Sequence, residues 1–68
     1  MHFKPAIARR VVIGLVDGTT LTGTLTFELK GSIRLENACL VDETTGQETE
    51  IPGEVFVLTD KILWLQVP

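Results

Sequence analysis

Apolar residues occupy every second position from Val11 through Ile13 to Leu15, stop at Asp17-Gly18, and resume at Leu21. Beyond the interruption Leu21, Gly23, Leu25, Phe27 and Leu29 share one parity, while Thr20, Thr22, Thr24, Thr26 and Glu28 share the other. A side-chain period of two is the signature of a half-buried strand, and threonine tolerates the pleated, solvent-facing side well. Asp-Gly supplies the left-handed backbone that a tight hairpin turn requires. The stretch is therefore expected to be a β-hairpin. Gly23, in mid-strand on the apolar face, marks a bend or a close backbone approach, as at the corner of a small barrel.

The flanking segments extend this pattern. Met1 to Arg10 lacks alternation, and Pro5 followed by Ala6, Ile7 and Ala8 predicts a short helix near residues 4–9. Phe3 and Ile7, four apart, would share one face of that helix, with Arg9 and Arg10 forming a solvated basic edge behind it. Lys30-Gly31-Ser32 reads as a second turn, and Ile33 to Val41 as a third strand in which Ile33, Leu35, Cys39 and Val41 point inward. Asn37 falls on that inward parity. Either a bulge shifts the register there, or its amide serves a buried backbone group. Asp42 to Gly46 is a polar turn, Gln47 to Ile51 begins a fourth strand, and Pro52-Gly53 interrupts it before strand character returns at Glu54. In the last stretch, VFVLTDKILWLQV, both parities are apolar on either side of a break at Thr59-Asp60. A strand apolar on both faces must be covered on both. So small a sheet cannot do this for two such strands, so neighbouring subunits are expected to cover Val55, Phe56, Val57, Leu58, Ile62, Leu63, Trp64 and Leu65.

Composition points the same way. Sixty-eight residues make a single domain, near the lower limit for independent folding, and chains of this size lean on disulfides, a metal or a partner subunit. Cys39 is the only cysteine and His2 the only histidine, so neither an intrachain disulfide nor a zinc site can be built, and oligomerisation remains. Cys39 is expected to pack as a small hydrophobe. The formal net charge of −3 argues against generic binding to phosphate backbones. Five acids and no base lie between Asp42 and Glu54, a pattern that reads as a solvated hairpin protected from edge-to-edge sticking by like charge. There is no Ser/His/acid grouping, no metal cluster and no phosphate-cradling glycine loop, so a non-enzyme without a cofactor is expected. No apolar run approaches the roughly 20 residues of a membrane span, and a lone thiol without an export signal points to the cytoplasm.

Two blocks resemble the motifs of the Sm/Lsm superfamily, which includes bacterial Hfq. Val11-x-x-x-Leu15-x-Asp17-Gly18 through Gly23-x-Leu25 is similar to the first Sm motif, an apolar strand, a glycine turn, a mid-strand glycine and a following leucine. Phe56 to Leu65 is similar to the second, an aromatic-aliphatic pair leading through a short break to an Ile-rich last strand. With the spacing between them, the likeness covers nearly the whole chain. It implies an all-β domain, a small, strongly bent five-stranded open barrel with a short N-terminal helix, assembled into a homo-oligomeric ring of five to seven subunits.

The same resemblance directs attention to the loop after the second strand. In RNA-binding members that loop carries an Asp and an Asn that hold a flipped-out base, beside a stacking aromatic or Met. Here it reads Leu29-Lys30-Gly31-Ser32-Ile33, and Leu58-Thr59 stands where those members have Arg-Gly. What remains for single-stranded RNA is Lys30, Ser32 and Arg34, with Lys61 near them. Two functions follow: a ring that binds RNA weakly through a basic pore or rim, or an oligomeric scaffold for protein interactions that has lost RNA binding.

Overall fold

The computed structural model describes residues 4–68. Six strands alternate along the chain: β1 (Arg10–Leu15), β2 (Thr20–Leu29), β3 (Ser32–Val41), β4 (Glu48–Glu50), β5 (Val55–Leu58) and β6 (Ile62–Gln66). The sheet runs β4-β3-β2-β1-β6, and β5 also pairs with β3. All pairings are antiparallel. The fourth strand expected from the sequence is thus split in two by Pro52-Gly53, which accounts for six strands in place of five. Its first part pairs with Cys39–Val41 and its second with Ser32–Leu35, so one edge of β3 carries both.

The β1–β2 hairpin closes as the Asp-Gly signal requires. Gly18 has φ 93°, and the Thr19 amide donates to Asp17 Oδ1 at 2.9 Å. That backbone N–H holds the Asp17 carboxyl below the usual carboxylate range. Because the folded form is the better acid, the turn's contribution is present above the ordinary carboxylate pKa and fades as pH falls through the lowered one.

At the N-terminus the expected helix is a single 3-10 turn, Lys4–Ala6. Ala8 stops it with φ 66°, and the backbone then joins the sheet: the Ala8 amide donates to the Leu25 carbonyl at 2.6 Å and the Leu25 amide to the Arg9 carbonyl at 3.0 Å. Sheet hydrogen bonds starting at Ala8 leave no room for a second helical turn. Ala6 is buried and Ile7 partly so, covering one end of the core. The pairing of Phe3 with Ile7, and His2, lie outside the described residues.

One residue on each of β2, β3 and β6 breaks strict alternation. On β3, Thr22 pairs with Cys39 but Thr24 with Glu36, leaving two residues, Asn37 and Ala38, opposite Gly23. Asn37 takes φ 53°, so the bulge is the correct one of its two readings. Parity flips behind it: Ala38 is buried, Leu40 is exposed, and Cys39, expected inward, is only partly covered. On β2, Leu25 pairs with Leu35 and Phe27 with Arg34, so Thr26 is extra. Phe27 and Leu29, expected on the core face, therefore stand on the opposite one, 47% and 46% exposed. Bulges bend and twist a strand, and these two fold the halves of β2 and β3 around one core of Val11, Ile13, Leu21, Leu25, Ile33, Leu35, Val57 and Ile62.

Gly23 is where the bulged β3 backbone comes closest to β2. A Cβ there would meet Leu35 Cβ at 3.2 Å and the Ala38 Cα at 3.3 Å. Both neighbours are held in a ladder and cannot swing away. Gly23→Val is expected to cost about 1–3 kcal/mol by overpacking, read as a lower denaturant midpoint with an unchanged slope.

Candidate assembly edges and nucleic-acid interface

Strands β5 and β6 each have a single neighbour, β3 and β1 respectively. Each therefore presents a row of unpaired backbone groups on its other side. The 3-10 turn Thr59–Lys61 links them, realising the break expected at Thr59-Asp60. The strands are divided by side. Val57 and Ile62 are buried and Val55 and Leu65 pack against the core, whereas Phe56, Leu58, Leu63 and Trp64 are 56%, 56%, 67% and 42% exposed. Both strands are apolar on both sides, but only one side is open: Val55, Val57, Ile62 and Leu65, expected to be covered by a neighbour, are covered by this chain's own core because the small sheet curls around them.

In β6 the division is made by the third bulge. Gly14 pairs with Trp64 but Leu15 with Ile62, so Leu63 is extra. Ile62 and Leu65, three apart, both reach the core, while Leu63 and Trp64 stand side by side outside it. Trp64 packs on Gly14 so closely that a Cβ on that glycine would fall inside the indole. A glycine opposite a tryptophan thus anchors the exposed ring to β1.

On β5 the outward residues join those of β2 and β3. Phe56 pairs with Arg34, which pairs with Phe27; Leu58 pairs with Ser32, which pairs with Leu29. The result is two adjacent cross-strand rows, apolar at each end and polar in the middle. Sequence reasoning missed Phe27 and Leu29 as surface residues, because nothing in a run of alternating Thr marks Thr26 as the extra one.

The four basic-site residues divide into two groups. Arg34 is committed locally: Nε donates to Thr26 Oγ1 at 3.0 Å, Nη1 and Nη2 lie 3.6 Å from Glu54 and 3.9 Å from Glu36, and the guanidinium sits 5.5 Å from the Phe27 ring centroid. Partly exposed ion pairs contribute little to stability, but they cancel most of the field this arginine would offer a phosphate. Lys30 and Lys61 belong to the two turns that meet at the other end of β5, and Ser32 is the β3 residue beside them. The Thr59 amide donates to the Gly31 carbonyl at 3.1 Å, tying the β2–β3 turn to the 3-10 turn. Lys30 and Lys61, one on each turn, are exposed.

The acidic hairpin is solvated, as expected, and two of its carboxylates accept from threonines of β2: Glu43 from Thr20, and Glu48 from Thr22 at 3.4 Å. Among the described residues no group of three His, Cys, Asp or Glu is placed to hold a metal ion. No helix among them is long and apolar enough to cross a membrane.

No family model matches the chain, and no curated protein matches it in sequence. Solved structures do. A heptameric archaeal Sm protein aligns with TM-score 0.81 at 21% identity, covering 97% of this chain and 94% of its own. The P. aerophilum SmAP1 heptamer aligns with TM-score 0.81 at 21% identity, covering 97% and 86%. An SmAP (LSm) protein from Methanococcus vannielii aligns with TM-score 0.68 at 25% identity, covering 94% and 86%. The fold is Sm-like. Within this Sm-like fold the first motif-like block is β1, its turn and the start of β2, and the second is β5, the 3-10 turn and β6. The second block thus coincides with two of the three open strand edges, the third being the short acidic β4, and the Lys30–Lys61 end lies where it meets the β2–β3 turn.

Proposed function

We propose that this chain closes with copies of itself into a homo-oligomeric ring of five to seven subunits, and that the ring contacts single-stranded RNA weakly. The observation that carries the reading is the matched pair of open edges: β5 with outward Phe56 and Leu58, β6 with outward Leu63 and Trp64. If β5 of one subunit pairs with β6 of the next, every backbone group on both edges finds a partner and four large apolar side chains leave water. Such head-to-tail contacts close when the rotation per subunit permits. The structural relatives described as heptamers support this assembly.

The RNA part rests on Lys30 and Lys61, with Ser32 at the start of β3 and Arg34 two residues further along it. These groups offer charge and one hydroxyl, without an aromatic platform or a fork for a base edge, so phosphates are the expected contacts. Binding of short oligo-U and oligo-A is expected to be about equal, weak, and steeply weakened by salt. Replacing Lys30 and Lys61 together with Ala is expected to abolish it. The measurement is a titration of both RNAs at two salt concentrations, beside a size determination of the same sample. Tight, uridine-selective binding that survives the double substitution would overturn the phosphate reading.

A second reading, an oligomeric scaffold for protein partners, is favoured by one observation: Glu36 and Glu54 neutralise Arg34, the only cation in the outward rows of β2, β3 and β5. No binding of either RNA at low salt by an intact ring would establish it over the first.

A further inference from the structure

Whether a head-to-tail assembly closes, and with how many copies, is decided by the rotation between neighbours. That rotation is set by the directions of the two edge strands relative to the body that carries them. β5 is a plain four-residue strand in unbroken register with β3 from Leu58 at Ser32 to Val55 at Leu35. β6 is not plain. It carries the extra residue Leu63 where its register with β1 shifts, and a bulge bends its strand and raises its local twist.

The bulge lies on the free edge itself. On one side Ile62 is fixed in the core; on the other Leu65 is packed inward and Trp64 is seated on Gly14. Both flanks are pinned, so the extra residue cannot slide along the strand, and its bend is a fixed angle. Leu63 itself is the most exposed of the large apolar residues described, so its side chain does not hold the subunit together. Core packing alone would be served by a strand without it.

We infer that the one-residue bulge at Leu63 sets the rotation between neighbouring subunits and thereby the number of copies in the closed ring, its partner being the β5 edge of a second copy of this chain. The inference rests on the ring reading and adds to it the element that selects ring size. Leu63 also has a second role, as an apolar group in the seam, and the two roles separate by substitution. Leu63→Ala removes most of the side chain and keeps the backbone restricted. Leu63→Gly removes slightly more and frees the bulge, because glycine enters conformations closed to other residues. Deleting Leu63 removes the bulge altogether.

The experiment is native mass spectrometry of the wild type and the three variants, with far-ultraviolet circular dichroism and Trp64 emission confirming that each folds. The wild type and Leu63→Ala are expected to give one and the same ring mass, the variant reaching it only at higher protein concentration. Leu63→Gly is expected to spread into two or more ring masses. The deletion is expected to give a different copy number or open chains. One unchanged mass from Leu63→Gly overturns the inference whether or not the deletion variant folds, and leaves the ring standing. A wild type that stays monomeric overturns the ring instead.

Discussion

Phe56→Asp or Leu63→Asp is expected to reduce the assembly to single subunits of 7.5 kDa. Each of these side chains is more than half exposed in the isolated subunit, so an aspartate at either position meets water and leaves the fold alone. In the proposed ring the same position lies against a neighbour. There the substitution forfeits roughly 1.5–3 kcal/mol of apolar burial and adds the cost of desolvating an unpaired carboxylate. Every seam of a symmetric ring carries the change, so the losses multiply around the circle. Light scattering checks the mass, and circular dichroism checks that the separated subunits keep their strands. A companion result is expected of the wild type: its midpoint of unfolding should rise with protein concentration, since assembly binds the folded state alone.

Leu25→Ala is expected to cost about 2–5 kcal/mol, a large share of what a chain of this length has. Leu25 is fully buried beside Leu35, and its backbone accepts from Ala8 and donates to Arg9. It is also the last residue of β2 before the Thr26 bulge. A cavity there would loosen the docking of the N-terminal turn and the bend of the sheet together. Chemical denaturation measures the loss; run at low and high protein concentration, it separates subunit stability from what assembly adds.

The hairpin, its glycine turn and the inward set Val11, Ile13, Leu21 and Leu25 were legible in the sequence because each obeys a short-range rule: period two, or Asp-Gly at a turn. So was the divided character of β5 and β6, since residues apolar on both parities demand cover on both sides. The three bulges were much less legible. A bulge is a property of two strands at once, one residue too many relative to a partner that the sequence does not name. Only Asn37 betrayed itself, as a polar residue on an inward parity that tolerates a left-handed backbone. Thr26 sits among other threonines and Leu63 among other apolar residues, so neither carried a local contradiction. Their consequences, the outward turn of Phe27 and Leu29 and the core placement of both Ile62 and Leu65, were hidden with them. The N-terminal turn was overextended for a related reason: helix propensity at Ala6, Ile7 and Ala8 is weak beside two sheet hydrogen bonds to Leu25. Among the basic residues, one-dimensional spacing grouped Arg34 with Lys30 and could not show Glu36 and Glu54 reaching it.

Strands β5 and β6 are joined by three residues, Thr59–Lys61, so both halves of the proposed seam lie in one uninterrupted stretch of chain, Val55 to Gln66. Here a single genetic exchange would carry both. A gene duplicate that acquired a foreign copy of this stretch would change its left-hand and right-hand neighbours in one step, whereas point changes confined to one strand would alter only one of them. The first route yields a new self-pairing lineage and the second a mixed ring with a fixed order of members, so the length of this connection bears on how such a chain could diversify.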